Sequence, residues 1–130
     1  MIWKVSQSSS WKAKMSILEF AQTFVFTNFM SLCLHEKYVS QIEKLVIEMM
    51  SDVTLQVRQK ATKILCGLFH SQFIDNEGQK RLLKVSFSYE KKSSNKFKKE
   101  KPKNLANLDK TQLVAFHSGV MGLCAIVQAY

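Results

Sequence analysis

The side chains best suited to catalysis or metal binding are three cysteines and three histidines. Cys66 and His70 lie four positions apart, so a helix would place both on one face and supply half of a zinc site. No second pair in the sequence has ligand spacing. We therefore interpret Cys66 and His70 as core residues and predict neither a metal site nor a cofactor.

The other candidates give no catalytic arrangement. Cys33, Cys66 and Cys124 are odd in number and form no CxxC pair, which indicates buried, reduced thiols in a reducing compartment. His117 falls on the apolar stripe of a predicted helix, with no nucleophile motif beside it. This placement favours a hydrogen-bonded core histidine, and we predict that the protein is not an enzyme.

The charge of the chain is concentrated in one stretch. The net charge is +9, and residues 90–103 alone hold seven Lys and two Glu. This stretch fits a nuclear localisation signal, a phosphate-binding loop or a solvated loop. Phe97 is the only aromatic residue there and arginine is absent, so we expect no direct reading of DNA. The lysines concerned are Lys91, Lys92, Lys96, Lys98, Lys99, Lys101 and Lys103.

The elements that position these residues are predicted to be helices. Four Gly and one Pro in 130 residues leave too few turns for a many-stranded β fold. Apolar residues recur at three- and four-residue steps, and no apolar run is long enough for a membrane span. We predict about five helices, at about 9–33, 36–51, 54–71, 76–89 and 109–130.

The first and fourth predicted helices have unusual apolar patterns. The first carries two apolar stripes, from Trp11 to Phe29 and from Ile17 to Phe24, which predicts a helix buried between neighbours. The fourth contains Leu83, Val85, Phe87 and Tyr89 in strict alternation, which is a strand pattern. We favour a helix there, because a lone strand would have no partner.

A repeat signature lies at the start of the third helix. Asp52, Val57, Arg58 and Ala61, with Leu65 and Leu68, match the first helix of a HEAT repeat. Val57, Ala61, Leu65 and Leu68 share one face, and Asp52 and Arg58 are suited to cross-linking adjacent turns of a solenoid. Gly119 and Gly122 inside the last helix predict close helix packing, since glycine is otherwise costly there.

These observations predict an all-α, HEAT/armadillo-like solenoid fragment. Residues 1–90 would form two helical hairpins and residues 91–108 a mobile basic loop. Residues 109–130 would form the first helix of a further, truncated repeat, and its uncovered apolar face makes the chain look incomplete at its C-terminus.

Three stretches resemble a narrower family, the large HEAT-repeat proteasome activators. They are Ser10 to Asn28, beginning Ser-Trp-Lys-Ala-Lys; Leu45 to Leu68; and His117 to Leu123. The third, His-Ser-Gly-Val-Met-Gly-Leu, is close to the family's His-Ala-Gly-Val-Leu-Gly-Leu. The resemblance covers nearly the whole chain in order.

The resemblance implies a solenoid that binds the core proteasome and promotes ubiquitin-independent degradation of peptides and acetylated histones. It also implies a location in the nucleus and cytoplasm, with roles in DNA repair and spermatogenesis. The family's Asn-Phe pair for acetyl-lysine aligns with Gln72 and Phe73. Gln72 keeps the amide donor but places it one methylene further out.

The family opens the proteasome gate with a C-terminal hydrophobic residue, then Tyr, then any residue. Here Tyr130 is last and not penultimate, so we expect that this chain alone does not open the gate. The alternative hypothesis is a basic HEAT-type nuclear adaptor without proteasome contact. Core proteasome subunits as partners would favour the first hypothesis, and importins or RNA the second.

Overall fold

The computed structural model describes residues 10–84 and 110–129, and all regular structure in these two ranges is helical. No described helix has the length and apolarity needed to cross a membrane. The fold is all-α, as the periodicity predicts. The helices are α1 (Trp11–Thr27), α2 (Phe29–Cys33), α3 (Glu36–Met50), α4 (Leu55–His70), α5 (76–84) and α6 (Lys110–Ala129).

The first predicted helix is divided into two. Ser10 begins α1, and its side chain accepts a hydrogen bond from the Ala13 N–H. The helix ends at Asn28, whose backbone N–H and side-chain Nδ2 both donate to the Phe24 carbonyl. An asparagine side chain competes in this way with the helical hydrogen-bond pattern. A single helix over 9–33 is therefore wrong, because the chain turns at Asn28 before α2.

The core lies where α3 and α4 pack together. The buried residues of α3 are on one face, and α4 buries a wider face because it contacts α1, α3 and α6. A helix with neighbours on several sides buries a wider face than a helix with a single neighbour. The most deeply buried side chains include Leu18, Val25, Val46, Met50, Val57, Leu65, Leu68 and Phe69.

Helices α1, α4 and α6 run parallel to one another. Glu19 lies beside Lys60, and Phe26 lies beside Gly67, with 41 positions between the members of each pair. Arg58 contacts His117 and His70 contacts Ala129, and these pairs are both 59 positions apart. Constant separations along two helices require that both run in the same direction. Parallel first helices are what successive helical repeats produce when they stack.

The first two repeats share a spacing of 40 residues. Ile17 and Val57, Leu18 and Arg58, Ala21 and Ala61, and Val25 and Leu65 are each 40 apart and all are buried. This spacing falls in the range of HEAT and armadillo repeats. The separation between α4 and α6 is longer, and the interval between them contains the basic stretch 91–103, which lies outside the described residues.

The aromatic stripe of α1 is less buried than predicted. Phe20 and Phe24 stack with their ring centroids 5.8 Å apart, yet they are 55% and 42% exposed. Trp11 and Phe26 are also nearly half exposed. Among the described residues α1 packs against α2, α3 and α4, so one side of it has no neighbour. The predicted burial of this apolar stripe is therefore wrong for Phe20 and Phe24.

Helix α5 begins after Asp75, whose Oδ1 accepts a hydrogen bond from the Gly78 N–H at 2.8 Å. Its described part, 76–84, is helical, and Leu82 is buried in the common core. Arg81 donates to Glu43 of α3 at 3.1 Å, which joins the second helices of the two repeats. The predicted helix 76–89 extends beyond the described residues, as do the loop 91–108 and Asp109.

Candidate interaction site

The turn between α3 and α4 holds a buried acid. Asp52 is 8% exposed, and its Oδ2 accepts a hydrogen bond from Lys14 of α1 at 2.5 Å. Its Oδ1 accepts from the Thr54 N–H at 2.8 Å, at the start of α4. Burial by itself raises the pKa of Asp52, but the bonds from Lys14 and Thr54 outweigh it and hold the pKa below its ordinary value. The carboxylate thus fixes the turn to α1.

Arg58 connects the same turn to α6. Its Nη1 donates to the Asp52 carbonyl at 2.6 Å and to the Val53 carbonyl at 3.0 Å. Its Nε donates to His117 Nδ1 at 3.2 Å. Nδ1 must therefore be unprotonated to accept this bond. Burial, followed by the charge of Arg58, lowers the pKa of His117 and so favours the neutral ring.

Two further contacts fasten α6 to the repeat before it. Ser51 Oγ and Ser118 Oγ share a hydrogen bond of 3.2 Å. At the other end of the interface His70 Nδ1 lies 3.1 Å from the Ala129 carbonyl, so that nitrogen carries the hydrogen. The interface is therefore fixed by polar contacts at both ends of α4, 12 residues apart.

Small residues occupy the buried side of α6. Ser118, Gly119, Gly122, Ala125 and Ala129 are all buried along α6. Four of them, at 118, 122, 125 and 129, follow the spacing of a single helix face. Gly119 and Gly122 lie in this buried part of the helix, where their small size suits a close approach.

All four predicted structural residues of the repeat signature are buried. Val57 and Ala61 have no exposed surface, and Asp52 and Arg58 are each 8% exposed. The two charged side chains do not pair with each other. Asp52 binds Lys14 and Arg58 binds backbone carbonyls and His117, so each reaches a different neighbouring helix.

Sequence reasoning did not identify Lys14 or the pairing of His117 with Arg58. Lys14 had a detectable signal, because it shares a helix face with Leu18, Ala21 and Val25, which are buried. A lysine on such a face requires an anion. The partner of His117 had no signal, since 59 residues separate it from Arg58.

Gln72 and Phe73 follow the end of α4 and differ in exposure. The Phe73 N–H donates to the Leu68 carbonyl and the Gln72 N–H to the Phe69 carbonyl, which is the Schellman pattern of helix termination. Gln72 has a φ of 57° and is exposed. Phe73 is 3% exposed and packs against Phe29, with ring centroids 5.7 Å apart. Phe73 thus stabilises the core, and Gln72 alone of the pair is accessible.

The remaining candidates stay apart. Cys66 packs against the core while His70 contacts Ala129, and no group of three or more His, Cys, Asp or Glu within the described ranges could hold a metal ion. Cys33 and Cys124 are exposed free thiols, so the prediction of buried thiols is wrong for these two residues. The seven lysines of the basic stretch lie outside the described residues, so the prediction of a nuclear signal stays a prediction.

Comparison with known proteins shows which proteins this chain is similar to. No family model matches the chain. Human proteasome activator complex subunit 4 is 30% identical over 128 residues, which is 95% of this chain and 7% of the human protein. The chain resembles proteasome activator complex subunit 4. Subunit 4B of Danio rerio is 28% identical over 98% of this chain, and subunit 4 of Bos taurus 30% identical over 95%.

The resemblance to proteasome activators expected from the three motifs is therefore confirmed. The match to human subunit 4 covers 95% of the chain. The chain spans about 7% of the length of these relatives.

Proposed function

We propose that this chain is a non-catalytic, proteasome-activator-like helical module that binds the core proteasome. The observation that supports this most is the similarity to proteasome activator complex subunit 4 along 95% of the chain. The parallel stacking of α1, α4 and α6 adds support, because stacked repeats provide an extended surface suited to binding proteins.

Binding to purified core proteasome tests the proposal. The immobilised chain should retain core proteasome, and a variant whose fold is loosened at the α4–α6 interface, Arg58→Ala, should retain less. Lys63→Ala is the matched control, because Lys63 is an exposed cation on the same helix. Absence of retention by the unaltered chain would contradict the proposal.

We further propose that binding by this chain leaves the proteasome gate closed, since it spans only about 7% of the relatives it matches. Peptide hydrolysis by core proteasome should be unchanged when saturating chain is added. A clear stimulation of hydrolysis would refute this part while leaving the binding proposal intact.

Recognition of acetylated histones is a finer proposal and depends on Gln72, the accessible member of the predicted pair. Its amide can donate a hydrogen bond to an acetyl carbonyl. Binding to acetylated and unmodified histone tail peptides should be compared for the chain, Gln72→Asn and Gln72→Gly. Glycine keeps the backbone conformation and removes the amide, so equal binding by all three proteins would eliminate recognition through residue 72.

Location in the nucleus and cytoplasm is proposed from the charge of the basic stretch alone. A fluorescent fusion carrying residues 88–105 should enter the nucleus, and replacing its seven lysines with glutamine should prevent this. A cytoplasmic fusion would exclude the signal. Retention of importins without core proteasome would instead support the second candidate, a basic nuclear adaptor.

A further inference from the structure

The stack of parallel helices ends in two apolar faces that have no neighbour among the described residues. One is the outer face of α1, with the stacked Phe20 and Phe24. The other is the outer face of α6, where Leu113, Phe116 and Val127 are 50%, 42% and 75% exposed. Contiguous exposed apolar residues of this kind mark interaction surfaces more often than isolated ones do.

The packing of the first two repeats indicates what kind of element the α1 face would contact. On α4, Lys60 and Gly67 face α1, and Ile64 lies between them on the same side and is 2% exposed. The residues 40 positions earlier are Phe20, Phe24 and Thr27. On α4 this face is covered by the parallel helix α1. The equivalent face of α1 is exposed to solvent.

The exposed face of α6 lies at the other end of the stack from the α1 face. The residues of α6 that are buried against the preceding repeat include Ser118, Gly122 and Ala125. A rotation of 100° per residue places the exposed residues 113, 116 and 127 on the opposite side of the helix. This is the side on which a following parallel helix would continue the stack.

We propose that α6 of one molecule packs in parallel against α1 of a second copy, so that the chain associates head to tail. The contact would continue the interfaces that α1 forms with α4 and α4 forms with α6. The contact joins two different surfaces, so every oligomer still has one free α1 face and one free α6 face. Further copies can therefore add to form linear oligomers. This inference does not depend on core proteasome binding.

Sedimentation velocity with single-face variants tests the inference. The unaltered chain should reach a weight-average mass above twice its monomer mass of 15.0 kDa as concentration rises. Phe24→Glu blocks the α1 face and Val127→Glu blocks the α6 face, so each variant alone should remain monomeric. An equimolar mixture of the two should form a one-to-one dimer and grow no further, because one intact face of each kind is present.

Val53→Glu is the matched control, because Val53 is an apolar residue of the α3–α4 turn that is 68% exposed and belongs to neither face, so this variant should associate like the unaltered chain. An unaltered chain that stays monomeric at its highest soluble concentration would overturn the inference. So would self-association of either blocked variant, which would indicate a symmetric contact between like faces. A mixture that remains monomeric would also overturn it.

Discussion

The charged residues of the repeat signature are buried because each has a specific partner. A buried ion is costly to desolvate unless hydrogen bonds replace its water. Asp52 has Lys14 and the Thr54 N–H, and Arg58 has two carbonyls and His117. The type of these residues could be predicted from the sequence. Their partners Lys14 and His117 could not, because they come from helices 38 and 59 positions away.

Asp52 should make the fold sensitive to acid. Its folded-state pKa is lowered, so its contribution to the free energy of unfolding is fully present above the ordinary pKa of about 3.9 and is lost as pH falls through the folded value. Asp52→Asn should lower the free energy of unfolding by about 1–3 kcal/mol at neutral pH. It should also make the free energy of unfolding depend less on pH in the acid range, here called the acid limb. Urea denaturation at several pH values measures both effects. An unchanged acid limb would contradict the role of Asp52.

His117 should make the fold sensitive to mild acid. Its folded pKa is lowered, so the neutral form stabilises the fold above the ordinary pKa of about 6.5, and this contribution is lost as pH falls below it. Protonation would direct a second cation at Arg58. His117→Asn keeps an acceptor that does not titrate, so the melting temperature should depend less on pH from about 7.5 to 5.

The matched control for this experiment is His35→Asn, because His35 is exposed and contacts Tyr38 instead of an arginine. The pH dependence of its melting temperature should equal that of the unaltered chain. Equal slopes for His117→Asn and His35→Asn would show that the Arg58–His117 bond does not control stability.

At the scale of the helix, periodicity predicted α3 and α4 well because apolar residues recur on one face of each at three- and four-residue steps. It did not predict the end of α1 at Asn28, where a side-chain hydrogen bond competes with the helix. It also assigned Phe20 and Phe24 to the core, because periodicity identifies an apolar face but not whether another helix covers it.

Replacing glutamine with glycine should have opposite effects on stability at the end of α4 and inside it. Gln72 has a left-handed backbone conformation, so Gln72→Gly should stabilise the fold by about 1 kcal/mol. Gln59→Gly, at an exposed position inside α4, should destabilise it by about 1 kcal/mol. Thermal denaturation of the two variants measures the difference. A loss of stability in both would contradict the role assigned to Gln72.

The α4–α6 contact should be intolerant of large side chains. Gly119 is buried in α6 among other small residues, so Gly119→Leu should overpack the interface and cost about 1–3 kcal/mol. Gln128→Leu, an exposed substitution on the same helix, is the control and should leave the melting temperature nearly unchanged. A melting temperature unaffected by Gly119→Leu would contradict the close approach of the helices.

At the scale of the whole molecule, the 40-residue spacing makes the fold quasi-repetitive, so contacts in one repeat indicate those of the next. The fold class could be predicted because the spacing and helical periods are written in the sequence itself. The candidate site could be predicted only in part, since the links to Lys14 and His117 depend on how the repeats stack. The similarity to proteasome activator complex subunit 4 extends over both repeats and α6.

Competition for the core proteasome tests the functional proposal most directly. Intact human proteasome activator complex subunit 4 would be held at a fixed concentration with core proteasome, and its bound fraction measured as the chain is added. An activator-like module that shares a binding surface should displace the activator progressively, and Arg58→Ala should displace it less effectively than Lys63→Ala. An activator-bound fraction that stays constant up to saturating chain would contradict the account.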